Sequence, residues 1–153
     1  MFLRIYPDPI LKKRAGPFSL PLPKNIHAIG EKMVEIMYEE FGIGLAGPQA
    51  GISKRIIVYD LSEERDDPHI LINPEIVAAE GRCENEEGCL SFPEIRGMVV
   101  RSEKVKVRGL DTSGQSVEIE ADELMAAMFQ HEIDHLDGIT FVDRLSPTGK
   151  MQI

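Results

Sequence analysis

Apolar residues recur at helical spacing in two parts of the chain and alternate with polar ones in several others. Ile26, Ile29, Met33, Ile36 and Met37 fall on one face of a helix, with Glu31, Lys32, Glu35 and Glu39 outside, which predicts a helix over residues 24–41. His27 lies off that stripe and reads as a solvent-facing side chain. A second helix is predicted over residues 123–137. With each residue advancing roughly 100°, Met125, Phe129, Ile133 and Leu136 form one apolar stripe, and Glu123, Gln130, Asp134 and Asp137 a polar one. On the remaining face His131 and His135 stand about 40° apart, beside Leu124 and Met128. Asp122 and Glu123 suit the first turn of this helix, and Gly138 suits its end.

Between the helices the pattern shortens to that of strands. Residues 55–59 are β-rich and predict a central strand; residues 70–73 and 75–78 read as one strand broken at Pro74. A charged loop, 62–68, separates them, with His69 at its edge. Residues 80–87 are polar, residues 88–93 interrupt the pattern, and residues 98–101 resume it. Residues 104–108 and 116–120 alternate cleanly on either side of Asp111-Thr112-Ser113-Gly114, a hairpin signal. A short apolar run, 139–142, follows the second helix and leads to a polar tail. Five prolines within residues 4–23 predict an extended arm wrapped over the surface, with a turn near Pro9-Ile10-Leu11. Residues 42–49 read as a helix stop and a small-residue loop, without the spacing of a dinucleotide or phosphate loop. The expected architecture is α+β: mainly antiparallel strands packed around a central buried helix, in one domain spanning residues 1–153.

Charge and cysteine content narrow the function. Seventeen basic against 26 acidic residues leave a net charge of −9, which argues against nucleic acid as a partner. No apolar run is long enough to span a bilayer, so no membrane association is expected. The first seven residues lack a signal-peptide core, and the cytoplasm is the expected location. The two cysteines, Cys83 and Cys89, do not form a disulfide framework.

The chemistry lies in His131-Glu132-Ile133-Asp134-His135, an H-E-x-x-H pattern. Two imidazoles one turn apart can share a metal ion, and Glu132 falls on the flank of the same face, placed to work on an activated water. A catalytic site of this kind needs a third protein ligand. The metzincin pattern would put a histidine where Phe141 stands, so the third ligand is expected upstream, among Cys89, Cys83, His69 and His27. Cys89, between Gly88 and Leu90, is the strongest of these, and Cys83 reads as structural or exposed.

Three stretches, Gly42-Ile43-Gly44-Leu45-Ala46-Gly47-Pro48-Gln49, Glu87-Gly88-Cys89-Leu90-Ser91 and Gln130-His131-Glu132-Ile133-Asp134-His135, resemble the three motifs of peptide deformylase, in the family's order. The Pro-rich start and Phe141-Val142-Asp143-Arg144-Leu145-Ser146 are similar too, so the resemblance covers nearly the whole chain. It implies a metal-dependent hydrolase that removes the N-formyl group from the initiator methionine of nascent polypeptides, releasing formate. It further implies Cys89, His131 and His135 as metal ligands, Glu132 as general acid/base, and Gln49 with the backbone N–H of Leu90 as donors to the formyl oxygen. Ile43 and Gly44 would line the substrate cleft, and Leu124 and Met128, beside the histidines, would offer an apolar pocket for the methionine side chain. The cofactor implied is one divalent metal ion, natively ferrous iron, with zinc or nickel as replacements. N-formylmethionyl nascent peptides are the implied partner. Some members are proposed to dock on the ribosome through a long C-terminal helix; this sequence stops at Ile153, which puts such a transient contact in doubt here. A bacterial protein is expected ahead of a processed organelle protein. Gly47 stands where the family usually has alanine, and is expected to loosen the first motif without removing chemistry. The rival readings are a general metallopeptidase and a non-catalytic relative that keeps its metal for structure.

Overall fold

The computed structural model describes residues 1–146. Five strands form an antiparallel sheet in the order β1 (Gly44–Ala46), β2 (Ile56–Tyr59), β3 (His69–Glu80), β6 (Lys104–Leu110) and β7 (Ser116–Asp122). A separate hairpin pairs β4 (Cys83–Cys89) with β5 (Phe92–Arg101). Helix α1 (Ile26–Glu39) packs on one face of the large sheet and α2 (Glu123–Leu136) on the other.

The β2 sequence explains this layering. Ile56 and Val58 pack with Met33, Ile36 and Met37 of α1, whereas Ile57 and Tyr59 pack with Phe129, Ile133 and Leu136 of α2. All four β2 residues are buried, because both faces of this strand are covered. A strand covered on both faces reads as a continuous apolar run rather than an alternation. A third cluster, Phe92, Val99, Phe141 and Leu145, ties the hairpin to the chain that follows α2.

The α+β architecture is as expected, and several boundaries differ. Helix α1 spans Ile26–Glu39, inside the expected limits. The strand expected to break at Pro74 is continuous. It absorbs the proline as a bulge, with a register shift between Ile72 and Glu75 and Asn73 at φ 50°. Asn73 uses that bend to hold the arm, its side chain accepting from the Phe18 N–H at 2.9 Å and donating to the Phe18 carbonyl at 3.0 Å. The polar stretch before Cys89 is strand β4, and residues 44–46, expected in a loop, form an edge strand. The run 139–142 gives way to a 3-10 turn at Phe141–Arg144. The turn expected near Pro9 is a 3-10 turn, Pro9–Lys12. The polar tail, residues 147–153, lies outside the described residues. Among the described residues no helix is long and apolar enough to cross a membrane.

The loop after β2 is organised by Asp60, a fully buried carboxylate. It accepts from the Tyr38 hydroxyl at 2.6 Å, from the Ser62 N–H at 2.8 Å and hydroxyl at 2.6 Å, and from the Asp67 N–H at 3.1 Å. Burial alone would raise its pKa, but these donors outweigh burial and hold it well below the ordinary carboxylate range. Its stabilisation is therefore full above the unfolded-state value, about 3.9, and is lost as pH falls below it. Asp60→Asn turns an N–H₂ toward the Asp67 N–H and should cost about 1–3 kcal/mol at pH 7. The difference from wild type, measured by denaturant titration, should shrink as pH falls below about 4. A pH-independent difference would contradict this account of the loop.

Candidate functional site

Helix α2 presents His131, Glu132 and His135 toward the β4–β5 hairpin. Its other faces are held firmly: Ala126, Phe129, Ile133 and Leu136 are buried against the sheet, and the Gln130 amide clamps the backbone of Ser102. The Ser102 N–H donates to Gln130 Oε1 at 2.8 Å, and Gln130 Nε2 donates to the Ser102 carbonyl at 2.9 Å. The helix ends at Gly138, in left-handed conformation with φ 74°.

The hairpin supplies the third group. The β4–β5 register shifts between Gly88, opposite Arg96, and Cys89, which pairs with Phe92 across a tight turn at Leu90-Ser91. Cys89 Sγ lies 3.3 Å from His135 Nε2. One donor atom from each of Cys89, His131 and His135 falls within 4.8 Å of the others, and the two imidazole rings sit 5.0 Å apart. The competing candidates lie elsewhere. His27 is exposed and pairs with Glu31, His69 pairs with Asp67 and stacks on Tyr59, and Cys83 is a free thiol at the far end of β4, near Asn85.

A chain of ion pairs fixes the ring of His131. Glu87 sits 3.0 Å from His131 Nδ1. Burial would push Glu87 up, but Arg101 and His131 hold it at about 2, so it is a carboxylate and the imidazole must be the donor. That leaves His131 Nε2 for the cluster. Arg101, buried, grips both Glu87 oxygens at 2.9 and 2.8 Å and donates to Asp134 at 2.8 Å; Arg144 grips Asp134 from the other side at 2.6 and 2.9 Å. Asp134, expected on the solvated face of α2, is instead a link in this chain. Neither Glu87 nor Arg101 was distinguishable in the sequence from a solvated strand residue.

The ionisable groups of α2 are shifted strongly and in different directions. Burial opposes charge on His131, yet its contacts with Cys89 and Glu87 and the nearby Glu132 carboxylate hold its pKa well above the ordinary value. Burial and the charge of His131 hold His135 well below it. Burial pushes Glu132 up to about 7, with Glu87 adding to the rise and His131 and Arg101 opposing it. Glu132 Oε1 and His135 Nδ1 are buried without a hydrogen-bond partner among the described residues. A thiol, two imidazoles aimed at a common point and a carboxylate with an unpartnered oxygen are a donor set that fits a divalent transition metal.

The facing wall of the cleft comes from residues 41–49. The Ala46 N–H donates to Gln49 Oε1 at 2.9 Å, which fixes the orientation of the amide. Gln49 Nε2 then points at Ser91 Oγ, 3.3 Å away, and Cys89 Sγ, 3.5 Å away. The N-terminal arm bridges the two loops from behind: the Arg4 N–H donates to the Gln49 carbonyl at 2.7 Å, and the Tyr6 N–H to the Ser91 carbonyl at 2.9 Å. A Cβ on Gly44 would sit 2.9 Å from Glu132 Oε2, so glycine here lets β1 pass directly beside the carboxylate. Gly47 does not loosen its turn. It is buried, and a Cβ there would lie 2.5 Å from the Lys54 carbonyl and 2.8 Å from that of Ile52. Its missing methyl is what lets these backbones close.

The cleft, about 400 Å³, gathers Ile43, Gly44, Gln49, Leu90, Leu124 and Met128 around Cys89, His131 and Glu132. Leu124 stands at its mouth, 61% exposed, rather than in a closed wall.

A helix carrying His-Glu-x-x-His, a hairpin cysteine and an amide turned into the same cleft define an H-E-x-x-H hydrolase. The polypeptide deformylase family profile matches residues 2–151. A peptide deformylase of Acidobacterium capsulatum is 52% identical over 143 residues, covering 92% of this chain and 84% of that protein. One from Nitrosococcus oceani is 45% identical over 148 residues, covering 97% and 88%. The crystal structure of peptide deformylase from Thermotoga maritima superposes with a TM-score of 0.88 at 44% identity, covering 95% of this chain and 97% of that one. The chain belongs to the peptide deformylase family, hydrolases that remove the N-formyl group from nascent polypeptides.

Proposed function

We propose that this protein performs that reaction as a metal-dependent amide hydrolase on formylmethionyl peptides, with Cys89 Sγ, His131 Nε2 and His135 Nε2 as ligands of one divalent ion. The observation that carries the reading is the meeting of Cys89 with His135 at 3.3 Å, beside a buried carboxylate that has an unpartnered oxygen. When bound, the ion supplies Lewis acidity, polarising the carbonyl and making hydroxide available near neutral pH. Thiolate and imidazole donors suit iron, zinc, nickel or cobalt. Ferrous iron is the native ion on this reading.

Glu132 takes the proton of the attacking water through its unpartnered oxygen and returns it to the leaving amine. Gln49 Nε2 and the Leu90 N–H donate to the formyl oxygen as it gains charge, and the Ala46 N–H holds the Gln49 amide in the donating orientation beforehand. β1 is an edge strand. The Asp60 N–H donates to the Ile43 carbonyl, and the Ala46 N–H turns to Gln49. By alternation, the Gly44 backbone groups face the cleft, where an extended peptide can pair with them. Ile43, Leu124 and Met128 receive the methionine side chain. The enzyme meets its substrates in the cytoplasm as they leave the ribosome.

Release of the free α-amine from blocked peptides, and of alanine from Met-Ala, by anaerobically prepared protein tests this reading. Formyl-Met-Ala should be hydrolysed, acetyl-Met-Ala at least about tenfold more slowly because of its added methyl, and unblocked Met-Ala not at all. Equal rates on formyl and acetyl peptides would defeat it, and cleavage of unblocked peptides would favour a general metallopeptidase. Inactivation in air with rescue by nickel supports iron; full, lasting activity with zinc counts against it.

A further inference from the structure

Phe41 is 92% exposed, more than any other large apolar side chain among the described residues. It is also in the left-handed backbone region, with φ 59°. Its N–H donates to the Tyr38 carbonyl at 3.1 Å and the next N–H, of Gly42, to Met37 at 2.9 Å, which closes the end of α1. Glycine is the usual residue at this closing position, because a side chain strains the left-handed conformation. The fold therefore gains nothing visible from phenylalanine: it is strained, and its ring is left in water.

The lip that carries Phe41 is fixed. Arg65 donates to the Gly42 carbonyl, and its guanidinium lies over the Tyr38 ring at 5.2 Å. The Leu90 side chain fills the place where Gly42 has none: a Cβ there would be 2.6 Å from Leu90 Cδ1. Phe41 thus stands at the mouth of the cleft, which it lines together with Gly44, Glu132 and the exposed Leu124. Gly44 lies three positions further along, at most about 10 Å of extended chain. A peptide paired with the β1 edge would present its second or third side chain at that distance.

We propose that Phe41 is a specificity-determining residue that receives an apolar side chain following the formylmethionine. The proposal rests on the deformylase reading of this cleft. The test compares kcat/KM for formyl-Met-Leu-Leu and formyl-Met-Ser-Ser in wild type, Phe41→Gly and Phe41→Asn, the two residues that tolerate this backbone. Both variants should keep or raise Tm. Both should lower the leucine-to-serine preference by roughly 3- to 10-fold, through KM rather than kcat. An unchanged preference, or a loss of Tm in both variants, would overturn the proposal and make Phe41 structural. If wild type releases formate from neither peptide, the deformylase reading itself fails, which is a separable result.

Discussion

Replacing Glu132 by glutamine should lower turnover by about 10²- to 10⁴-fold while leaving the chain folded and able to bind one metal ion. Glu132 is 5% exposed and one of its oxygens has no hydrogen-bond partner among the described residues. A carboxylate so placed opposes folding, and burial pushes its pKa up to about 7. The neutral, isosteric amide removes that penalty, so Tm should be equal or higher. Activity should fall because glutamine cannot take a proton from water. The opposite signs on stability and turnover separate a proton-transfer residue from a structural one. Activity within threefold of wild type in a clean preparation would remove Glu132 from the mechanism and revive the non-catalytic reading.

Arg101→Ala should be the most damaging change outside the cleft itself. Arg101 bridges Glu87 and Asp134, both largely buried, through three contacts of 2.8–2.9 Å. Removing the cation leaves Glu87 without a counter-charge except His131, and Asp134 with Arg144 alone. Breaking a buried pair from one side typically costs about 3–5 kcal/mol. For a chain of this length that lowers Tm by roughly 10 °C. Glu87 would also lose the grip that aligns it on His131 Nδ1, so metal affinity should fall by about 10- to 100-fold, as with other partners of metal-bound histidines. Arg101→Lys restores the charge but not the two-pronged contact, and should recover part of the stability and less of the affinity. Thermal unfolding and competition with a chelator measure the two effects. If neither moves, the ion-pair chain has no role in holding the centre.

The two helices were legible because each has one apolar face on the sheet. The second helix was legible in detail because its histidines, its glutamate and its glycine stop are all local features. The hairpin was not. β4 reads Cys-Glu-Asn-Glu-Glu-Gly-Cys and is only half-buried, so nothing in its polarity marks a strand. The identity of Cys89 as the third group could be favoured from its Gly-flanked turn. The register shift that aims it at His135 exists only in the fold. Arg101, Glu87 and Asp134 belong to segments that look like solvated surface; they become a buried chain only when hairpin and helix meet. The role of Gly47 was misjudged for a related reason: the Ile52 and Lys54 carbonyls that crowd it are near in sequence, but their approach depends on how the turn closes. Three residues of β1 are too few to carry a periodicity, and its value as a sheet edge depends on which strands fail to cover it.

The claim beneath all of this is that one hairpin thiol and two helix imidazoles hold a single ion. Elemental analysis of iron-loaded protein, purified without oxygen, tests it most directly when Cys89→Ala and Cys83→Ala are measured beside wild type, with circular dichroism to confirm folding. Wild type and Cys83→Ala should carry one ion per chain, and folded Cys89→Ala should lose most of it. A folded Cys89→Ala protein that keeps one tightly held ion per chain would contradict the account.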